Sequence, residues 1–242
     1  MKKILMLIAV LLTWQSPALA QSDDGELLPV PKPKKHAFFI GPKIGMTMTT
    51  MGQPNESDLY DGFGIGFSGG LALKARFNSA TESSEGGTGF VGLGLELKYK
   101  KNSVKTTGTD ESGKENANLS VDYFEVPIYL QVYPFAKSKK MNTFYFELGA
   151  SMAGTMARSP KSLTAGTAGG SDVVYNFDTE GSKLKGYDVR PLVGLGYTFH
   201  SSKRMSGLDV NARYYIGTSD LAGNFPCKMN SFEISLAYMF KL

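Results

Sequence analysis

Residues Val121 to Phe135 read VDYFEVPIYLQVYPF, and this stretch has two chemically different faces. One face is wholly apolar and consists of Phe124, Val126, Ile128, Leu130 and Val132. The other is mixed and consists of Tyr123, Glu125, Pro127, Tyr129, Gln131 and Tyr133. Strict alternation predicts a β-strand, and a fully apolar face requires either the interior of a soluble sandwich or lipid.

The same alternation recurs along the chain in eight segments, each at least as long as the ~9–11 residues that a tilted strand needs to cross a bilayer. The segments are 38–50, 62–77, 90–101, 121–135, 143–157, 188–199, 208–217 and 231–242. None has helical periodicity. The pattern predicts an all-β fold, an eight-stranded antiparallel up-and-down transmembrane β-barrel over residues 36–242, with no helical domain.

Glycines on the mixed faces indicate that the apolar faces lie against lipid and not in the core of a soluble protein. They include Gly64, Gly66, Gly92, Gly94, Gly194 and Gly196. Glycine weakens an exposed strand, whereas the interior of a narrow barrel needs small residues beside large ones. We therefore expect the mixed faces to point into a filled lumen, with Arg213 and Tyr215 over Gly194 and Gly196.

The connections are expected to alternate in length. The longer ones are 51–61, 102–118, 158–187 and 218–230, and the shorter ones are 78–89, 134–142 and 200–207. Short periplasmic turns opposite longer external loops are typical of outer-membrane barrels. Pro127 lies inside a strand of a closed sheet, so we expect a bulge or a locally unpaired carbonyl beside it.

The first 20 residues predict a secretory signal peptide. Lys2 and Lys3 precede the apolar run 4–12, and Ala18-Leu19-Ala20 provides a small-residue site with cleavage after Ala20. Residues 21–35 carry prolines at every second position from Pro29 to Pro33 and predict a Pro/Lys-rich periplasmic tail. The expected location of the remainder is the outer membrane.

Charge and cysteine content exclude several classes of function. There are 26 basic and 22 acidic residues, and no basic stripe with interleaved aromatics, so a nucleic-acid partner is not expected. Two distant histidines and the single Cys227 give no metal site and no internal disulfide. Cys227 is either a free thiol or an intermolecular link, and no cofactor is predicted.

Charged side chains on the mixed faces form the candidate site. They are Lys43, Lys74, Arg76, Glu96, Lys98, Glu125, Glu147, Asp188, Arg190, Asp209, Arg213 and Glu233. Charges in a confined interior are costly unless they are paired. The pattern therefore predicts a barrel-interior charge network that plugs the lumen, and the alternative is a conducting pore.

Two motifs suggest enzyme chemistry, and both have structural explanations. Residues 64–69 match G-x-G-x-x-G, but inside an alternating strand rather than before a helix. His200-Ser201-Ser202 contains a base and a nucleophile, as in barrels that remove acyl chains from lipid A. This segment is expected in a periplasmic turn, opposite the outer leaflet, so no catalytic residue is predicted.

The chain resembles the PorT-like group of small outer-membrane β-barrels of Bacteroidetes-type Gram-negative bacteria. The resemblance rests on residues 123–128, on Gly194-Leu195-Gly196-Tyr197, on residues 212–217 with the following Ser-Asp-Leu, and on Tyr238-Met239-Phe240. It implies the barrel fold and the outer membrane. One class in this group assists a protein-export system, so the resemblance also implies a possible export-machine partner.

The expected function is that of a monomeric, non-enzymatic barrel in outer-membrane lipid that presents extracellular loops, above all 158–187, to an external ligand. One alternative is an accessory component of a protein-export machine. Another is an outer-membrane enzyme acting on lipid A or phospholipid, which requires a His–Ser–acid cluster at the lipid-facing rim.

Overall fold

A computed structural model describes residues 36–52, 60–77, 89–136, 138, 141–166, 172–177, 186–201, 204–220 and 228–242. The predicted signal peptide and tail, residues 1–35, lie outside these ranges, as does Cys227. Within the part of the chain that the structure describes, no helix is long and apolar enough to cross a membrane.

Eight long strands form one closed antiparallel barrel in which each strand pairs with its neighbours along the chain, and the first pairs with the last. They are β1 (His36–Gly52), β2 (Tyr60–Phe77), β3 (Val91–Thr106), β5 (Asn118–Val132), β6 (Phe144–Ser159), β9 (Tyr187–Ser201), β10 (Arg204–Tyr215) and β11 (Lys228–Lys241). This confirms the predicted eight-stranded up-and-down barrel.

Three short strands form a second sheet that the alternation did not predict. They are β4 (Thr109–Asp110), β7 (Ser162–Gly166) and β8 (Asp172–Asn176), in the order β4-β7-β8. They belong to the two connections β3–β5 and β6–β9, which lie at the end of the barrel opposite both termini. We call this the loop end, and the end that carries His36 and Leu242 the terminal end.

The strands are strongly tilted, as the register of the sheet shows. Following directly paired residues once around the barrel from Thr49 leads to Phe39, ten residues lower on the same strand. The path runs through Ser231, Tyr215, Leu192, Gly149, Tyr129, Gly94 and Lys74. A fixed stagger of this kind accompanies strand tilt in a closed barrel.

The outer face of the barrel is apolar along every strand. Ile44 is 68% exposed, Leu148 65% and Ile128 44%. On each strand, the residues that alternate with such exposed side chains point inward. Aromatic side chains pack in pairs at the terminal end, with ring centroids 4.9 Å apart for Tyr238 and Phe240. Such rings are typical of a membrane interface.

The predicted alternation in loop length holds only on average. At the loop end the connections are 53–59, 107–117, 160–186 and 216–227; at the terminal end they are 78–90, 133–143 and 202–203. The first loop-end connection is shorter than the turn at 78–90. The strands extend further toward the loop end than the alternation suggests, because β1 reaches Gly52 and β2 begins at Tyr60.

Pro127 causes no bulge, so that part of the prediction was wrong. Its pairing with β6 is regular, and the register with β3 is unchanged on either side of it. The ladder with β3 is nevertheless interrupted, because no direct partner is assigned to Val126 or Pro127 on that side. Proline lacks the N–H that a regular ladder requires. The interruption follows from this missing donor alone.

Candidate functional site: a charged lumen beneath an apolar cap

All twelve charged residues singled out from the sequence have buried side chains facing the barrel interior. They are Lys43, Lys74, Arg76, Glu96, Lys98, Glu125, Glu147, Asp188, Arg190, Asp209, Arg213 and Glu233. A thirteenth, Lys100, is fully buried as well. It lies one inward position beyond Lys98 on β3, inside the predicted segment 90–101, and the same alternation places it on the mixed face.

Arg213 is the centre of the middle layer of the lumen. Its guanidinium makes a two-bond contact with Glu147, at 2.5 Å from Nε to Oε2 and 3.1 Å from Nη2 to Oε1. Nη2 also lies 2.8 Å from Glu96 Oε1. That oxygen accepts hydrogen bonds from Lys43 Nζ and from the Tyr129 hydroxyl, both at 2.8 Å. Fully buried charges are thus joined across the barrel.

A second layer lies nearer the loop end. Lys98 Nζ is 2.7 Å from Glu233 Oε2, and Lys100 Nζ is 3.5 Å from the same oxygen. Lys98 also donates to the Tyr215 hydroxyl at 2.8 Å, which Arg213 reaches at 3.5 Å. Tyr215 therefore connects the two layers.

Arg190 forms the layer closest to the loop end. It lies 2.9 Å from Glu125 Oε1 and 2.7 Å from Asp188 Oδ2. The other oxygen of Asp188 accepts hydrogen bonds from the backbone amides of Thr218 and Ser219, at 3.3 and 3.0 Å. The charge network is thereby attached to the chain that leaves β10.

At the terminal end, Lys74 pairs with Asp209 at 2.7 Å, and Tyr145 and Thr198 donate to the same carboxylate. Arg76 differs from the other buried cations. It donates to the backbone carbonyls of Gly89 and Asn142, at 3.0 and 2.8 Å.

Tyrosine rings lie against several of the buried cations. Arg76 lies over Tyr133, Arg190 over Tyr123, Arg213 over Tyr129 and Lys100 over Tyr215, at 3.6–4.2 Å from the ring centroids. A desolvated cation on an aromatic face is attracted by the ring quadrupole. The sequence placed these tyrosines on the mixed faces, but the role of the rings as stacking partners was not predicted.

Glycines make room for these large side chains, as the close approaches at Gly94, Gly194 and Gly196 show. A Cβ on Gly94 would lie 2.1 Å from the Tyr129 ring, and one on Gly194 would lie 2.8 Å from Arg213 Cγ. The prediction for Arg213 is therefore confirmed. Gly196 is covered by Tyr145 from β6 rather than by Tyr215, because Tyr145 is its direct pair and Tyr215 is paired with Leu192.

An apolar cluster lies above the charged layers at the loop end, and we call it the apolar cap. It consists of Met51, Val104, Ala117, Leu119, Val121, Tyr123, Ala153, Leu163, Ala165, Tyr175, Phe177 and Met229, with Val173 packed against it. Leu163 and Phe177, from the short sheet and its flank, have no exposed surface. The cap combines the upper ends of barrel strands with residues of the connections.

Neither of the two motifs that suggested enzyme chemistry forms a catalytic site among the described residues. Residues 64–69 lie within β2, where all six pair with β1 and the last two, Ser68 and Gly69, also pair with β3. The backbone of His200 lies at the terminal end, paired with Gly207, and its side chain is outside the described residues, as are those of Ser201 and Ser202. The described residues contain no group of three or more potential metal ligands.

Comparison with protein families identifies the class to which these features belong. Residues 19–223 match the family model described as outer membrane protein beta-barrel domain. The chain belongs to this family. The match ends before β11, the strand that closes the barrel against β1. No curated protein matches the sequence.

Several solved outer-membrane proteins are similar in fold. Neisserial surface protein A is 14% identical over 86% of this chain and 100% of its own, with a TM-score of 0.43. The attachment invasion locus protein Ail of Yersinia pestis is 12% identical over 84% and 98%, with a TM-score of 0.37. The outer membrane protein AlkL is 11% identical over 91% and 97%, with a TM-score of 0.34.

Family membership places this barrel in the outer membrane. Apolar side chains such as Ile44 and Leu148 form the outer face that is typical of a barrel in lipid, and the charged side chains are enclosed by the barrel wall. In lipid every backbone group must be bonded within the protein, and a closed barrel meets that requirement. The chemistry specific to this member therefore lies in the lumen and at the loop end.

Proposed function

We propose that this outer-membrane barrel is a monomeric, non-enzymatic protein whose lumen is plugged by its charge network and whose loop end binds a ligand outside the cell. Under this proposal the loop end is extracellular and the terminal end periplasmic. The single observation that carries the plug is that bonded charges fill the lumen, with the Lys74–Asp209 pair at the terminal end and Arg213 linked through Tyr215, Lys98 and Glu125 to Arg190.

The plug is supported by the way in which these charges are satisfied. Arg213 alone contacts two carboxylates, and Lys98 and Lys100 share Glu233. Opening a water-filled path would separate pairs that are 2.5–3.5 Å apart inside the wall of an eight-stranded barrel, which leaves an interior just wide enough for side chains. The apolar cap adds a second barrier at the loop end.

The binding role is supported by the short sheet β4-β7-β8. A packed cap holds this sheet in a defined shape, so its outer residues form a preorganised surface rather than mobile loops. Val174 in β8 and Tyr187 at the start of β9 expose 56% and 61% of their surface at the loop end. Exposed apolar side chains rimmed by polar residues are a feature of interaction sites.

Conductance in a planar lipid bilayer tests the plug. The wild-type protein should show no stable current, and a variant that removes Arg213, Lys98 and Glu233 together should conduct. Folding of each variant is checked by heat-modifiable gel migration. Steady conductance by the wild type would contradict the plug.

Labelling of intact cells with a membrane-impermeant amine reagent tests the orientation. Lys114 lies at the loop end and is exposed, and Lys241 lies exposed at the terminal end. Lys114 should react in intact cells, whereas Lys241 should react only after the outer membrane is permeabilised. The opposite labelling pattern would show that the loop end faces the periplasm, and the proposal of an extracellular ligand would then be wrong.

A second function is favoured by the resemblance of residues 123–128 and 212–217 to PorT-like barrels. We propose as an alternative that the protein is an accessory of a protein-export machine. Affinity purification from the native outer membrane should then recover a large membrane complex in stable amounts. Recovery of the barrel alone under mild detergent conditions would argue for the monomeric binding protein.

A further inference from the structure

A small cavity lies at the terminal end of the lumen. Its volume is about 30 Å³. It is lined by Phe39, Lys74, Arg76, Tyr133, Thr143, Thr198 and Met239. A cavity needs about 10–15 Å³ to hold one water, so this one admits a monoatomic ion or one or two waters.

Arg76 brings an unbalanced charge to this cavity. Each of the other described lumen cations lies within 4.0 Å of a carboxylate. Arg76 is 6% exposed, and its described hydrogen bonds are to two carbonyl oxygens. These use two of the five N–H donors of a guanidinium. Among the described lumen residues there are thus seven cations and six carboxylates, and the excess charge is located at Arg76.

Thr143 supplies a second, independent observation. Its hydroxyl is buried, lines the cavity and has no hydrogen-bond partner. The other two hydroxyls in the lining are already bonded, that of Thr198 to Asp209 at 2.6 Å and that of Tyr133 to Gln131 at 2.9 Å. Lys74 Nζ, which also lines the cavity, pairs with Asp209. A free hydroxyl donor therefore faces the same space as an uncompensated guanidinium.

We propose that this cavity is a binding site for one small inorganic anion of the halide class, held by the Arg76 guanidinium and the Thr143 hydroxyl. A buried charge without a counter-charge is strongly unfavourable. An anion between these two donors balances the charge of Arg76 and also gives the Thr143 hydroxyl a hydrogen-bond acceptor. Asp209 does not compete for Arg76, because Lys74, Tyr145 and Thr198 already occupy its oxygens.

Urea unfolding of the full-length protein in lipid vesicles, with chloride exchanged for gluconate at constant ionic strength, tests the proposal. A ligand that binds only the folded state raises stability with the logarithm of its concentration once it exceeds the dissociation constant. The unfolding midpoint of the wild type should rise with chloride. It should not depend on chloride in Arg76→Met, and Thr143→Val should need about tenfold more chloride for the same rise.

Two matched variants separate the site from general effects of salt. Ser151→Ala removes another buried, unpartnered lumen hydroxyl that is not in the cavity lining, and Lys43→Met removes another lumen cation. Both should keep the chloride response of the wild type. Crystals grown in bromide should show an anomalous peak between Arg76 and Thr143.

Three results would overturn the proposal. One is a chloride response that is equal in the wild type and Arg76→Met. Another is water alone in the cavity of bromide-grown crystals. The third is a wild type that lacks a chloride response and a double variant, Asp23→Asn with Asp24→Asn, that has one. The acidic residues of the tail would then be the counter-charge of Arg76. None of these results bears on whether the lumen conducts or the loops bind.

Discussion

The charged lumen and the apolar cap occupy the same barrel but are stabilised in different ways. In the lumen, Arg213 contacts Glu147 and Glu96 at defined distances and angles. In the cap, Leu163 and Phe177 are buried among apolar side chains from several strands. Ion pairs depend on geometry, whereas apolar burial is non-directional. A change in the lumen should therefore affect the whole barrel, and a change in the cap should remain local.

The largest effect is expected from Arg213→Met. The substitution leaves Glu147 without its two-bond partner and takes one of three donors from Glu96. Removing one partner of a buried ion pair costs about 3–5 kcal/mol. The unfolding free energy of the barrel, measured by urea titration in lipid vesicles, should fall by that amount.

Two further variants make this test specific. Arg213→Lys keeps the charge but not the two-bond geometry, and its loss of stability should be intermediate. Adding Glu147→Gln to Arg213→Met removes the stranded charge and should restore part of the loss. If Arg213→Met costs less than about 1 kcal/mol, the network is not the structural element that unites the lumen.

A substitution in the cap should have a large but local effect. Leu163→Ala removes a fully buried side chain from the short sheet, a change that costs about 2–5 kcal/mol. Cleavage within 160–186 of the folded protein by added protease should accelerate by about 30-fold or more. The urea midpoint of the barrel should stay near that of the wild type.

Val174→Ala is the matched control for Leu163→Ala, because Val174 lies in the adjacent strand and is 56% exposed. Its cleavage rate should be close to that of the wild type. If Leu163→Ala instead lowers the barrel midpoint as much as Arg213→Met does, cap and lumen form one cooperative unit.

The difference between the two regions also explains what the sequence could predict. Alternation assigns each strand residue to a face, so the lumen side chains follow once the strands are found. It does not give the register between strands, and for that reason Gly196 was assigned to Tyr215 although Tyr145 covers it. The partners of each charge depend on this register and on the tilt, which no local pattern contains.

The cap was missed because it combines connections with the upper ends of strands. A signal was nevertheless present. On the inward face, polar residues such as Lys100 and Asn102 are followed by Val104 on β3, and Tyr123 is preceded by Val121 and Leu119 on β5. An inward face that turns apolar near the loop end indicates a second core. The pairing of β4 with β7 joins residues far apart in sequence, Thr109 with Thr164 and Asp110 with Leu163.

A smaller global effect is expected from Gly94→Ala, which tests how tightly the lumen is filled. The new methyl group would lie 2.1 Å from the ring of Tyr129. That ring is buried beneath Arg213 and bonded to Glu96, so it cannot move without breaking a contact. Overpacking of this kind costs about 1–3 kcal/mol, measurable as a lower urea midpoint.

Gly62→Ala provides the control for Gly94→Ala. It is also a strand glycine, but a Cβ there would meet nothing within 4 Å. Its unfolding midpoint should be that of the wild type or slightly higher, because alanine loses less conformational freedom on folding than glycine. Equal losses from both substitutions would show that strand flexibility, rather than space for Tyr129, explains the glycines.

The smallest effect is expected at Asp110, the exposed acid that orders the turn after β4. One carboxylate oxygen accepts hydrogen bonds from the Ser112 hydroxyl, the Ser112 amide and the Lys114 amide, at 2.6, 2.9 and 3.0 Å. The Ser112 hydroxyl and the Lys114 amide are the main cause of a pKa below the usual value for this carboxyl. A lowered pKa in the folded state means that the ionised form stabilises the turn.

This contribution is complete above the unfolded pKa of about 3.9 and is lost as the pH falls through the lowered folded value. NMR titration of the Ser112 and Lys114 amides should show both leaving their hydrogen-bonded shifts at a pH below 3.9. In Asp110→Asn neither amide should titrate in this range, while the rest of the cap keeps its spectrum. A midpoint at or above that of a free aspartate would mean that the carboxylate does not hold the turn. Ordering at this edge of the cap would then come from the apolar cluster alone.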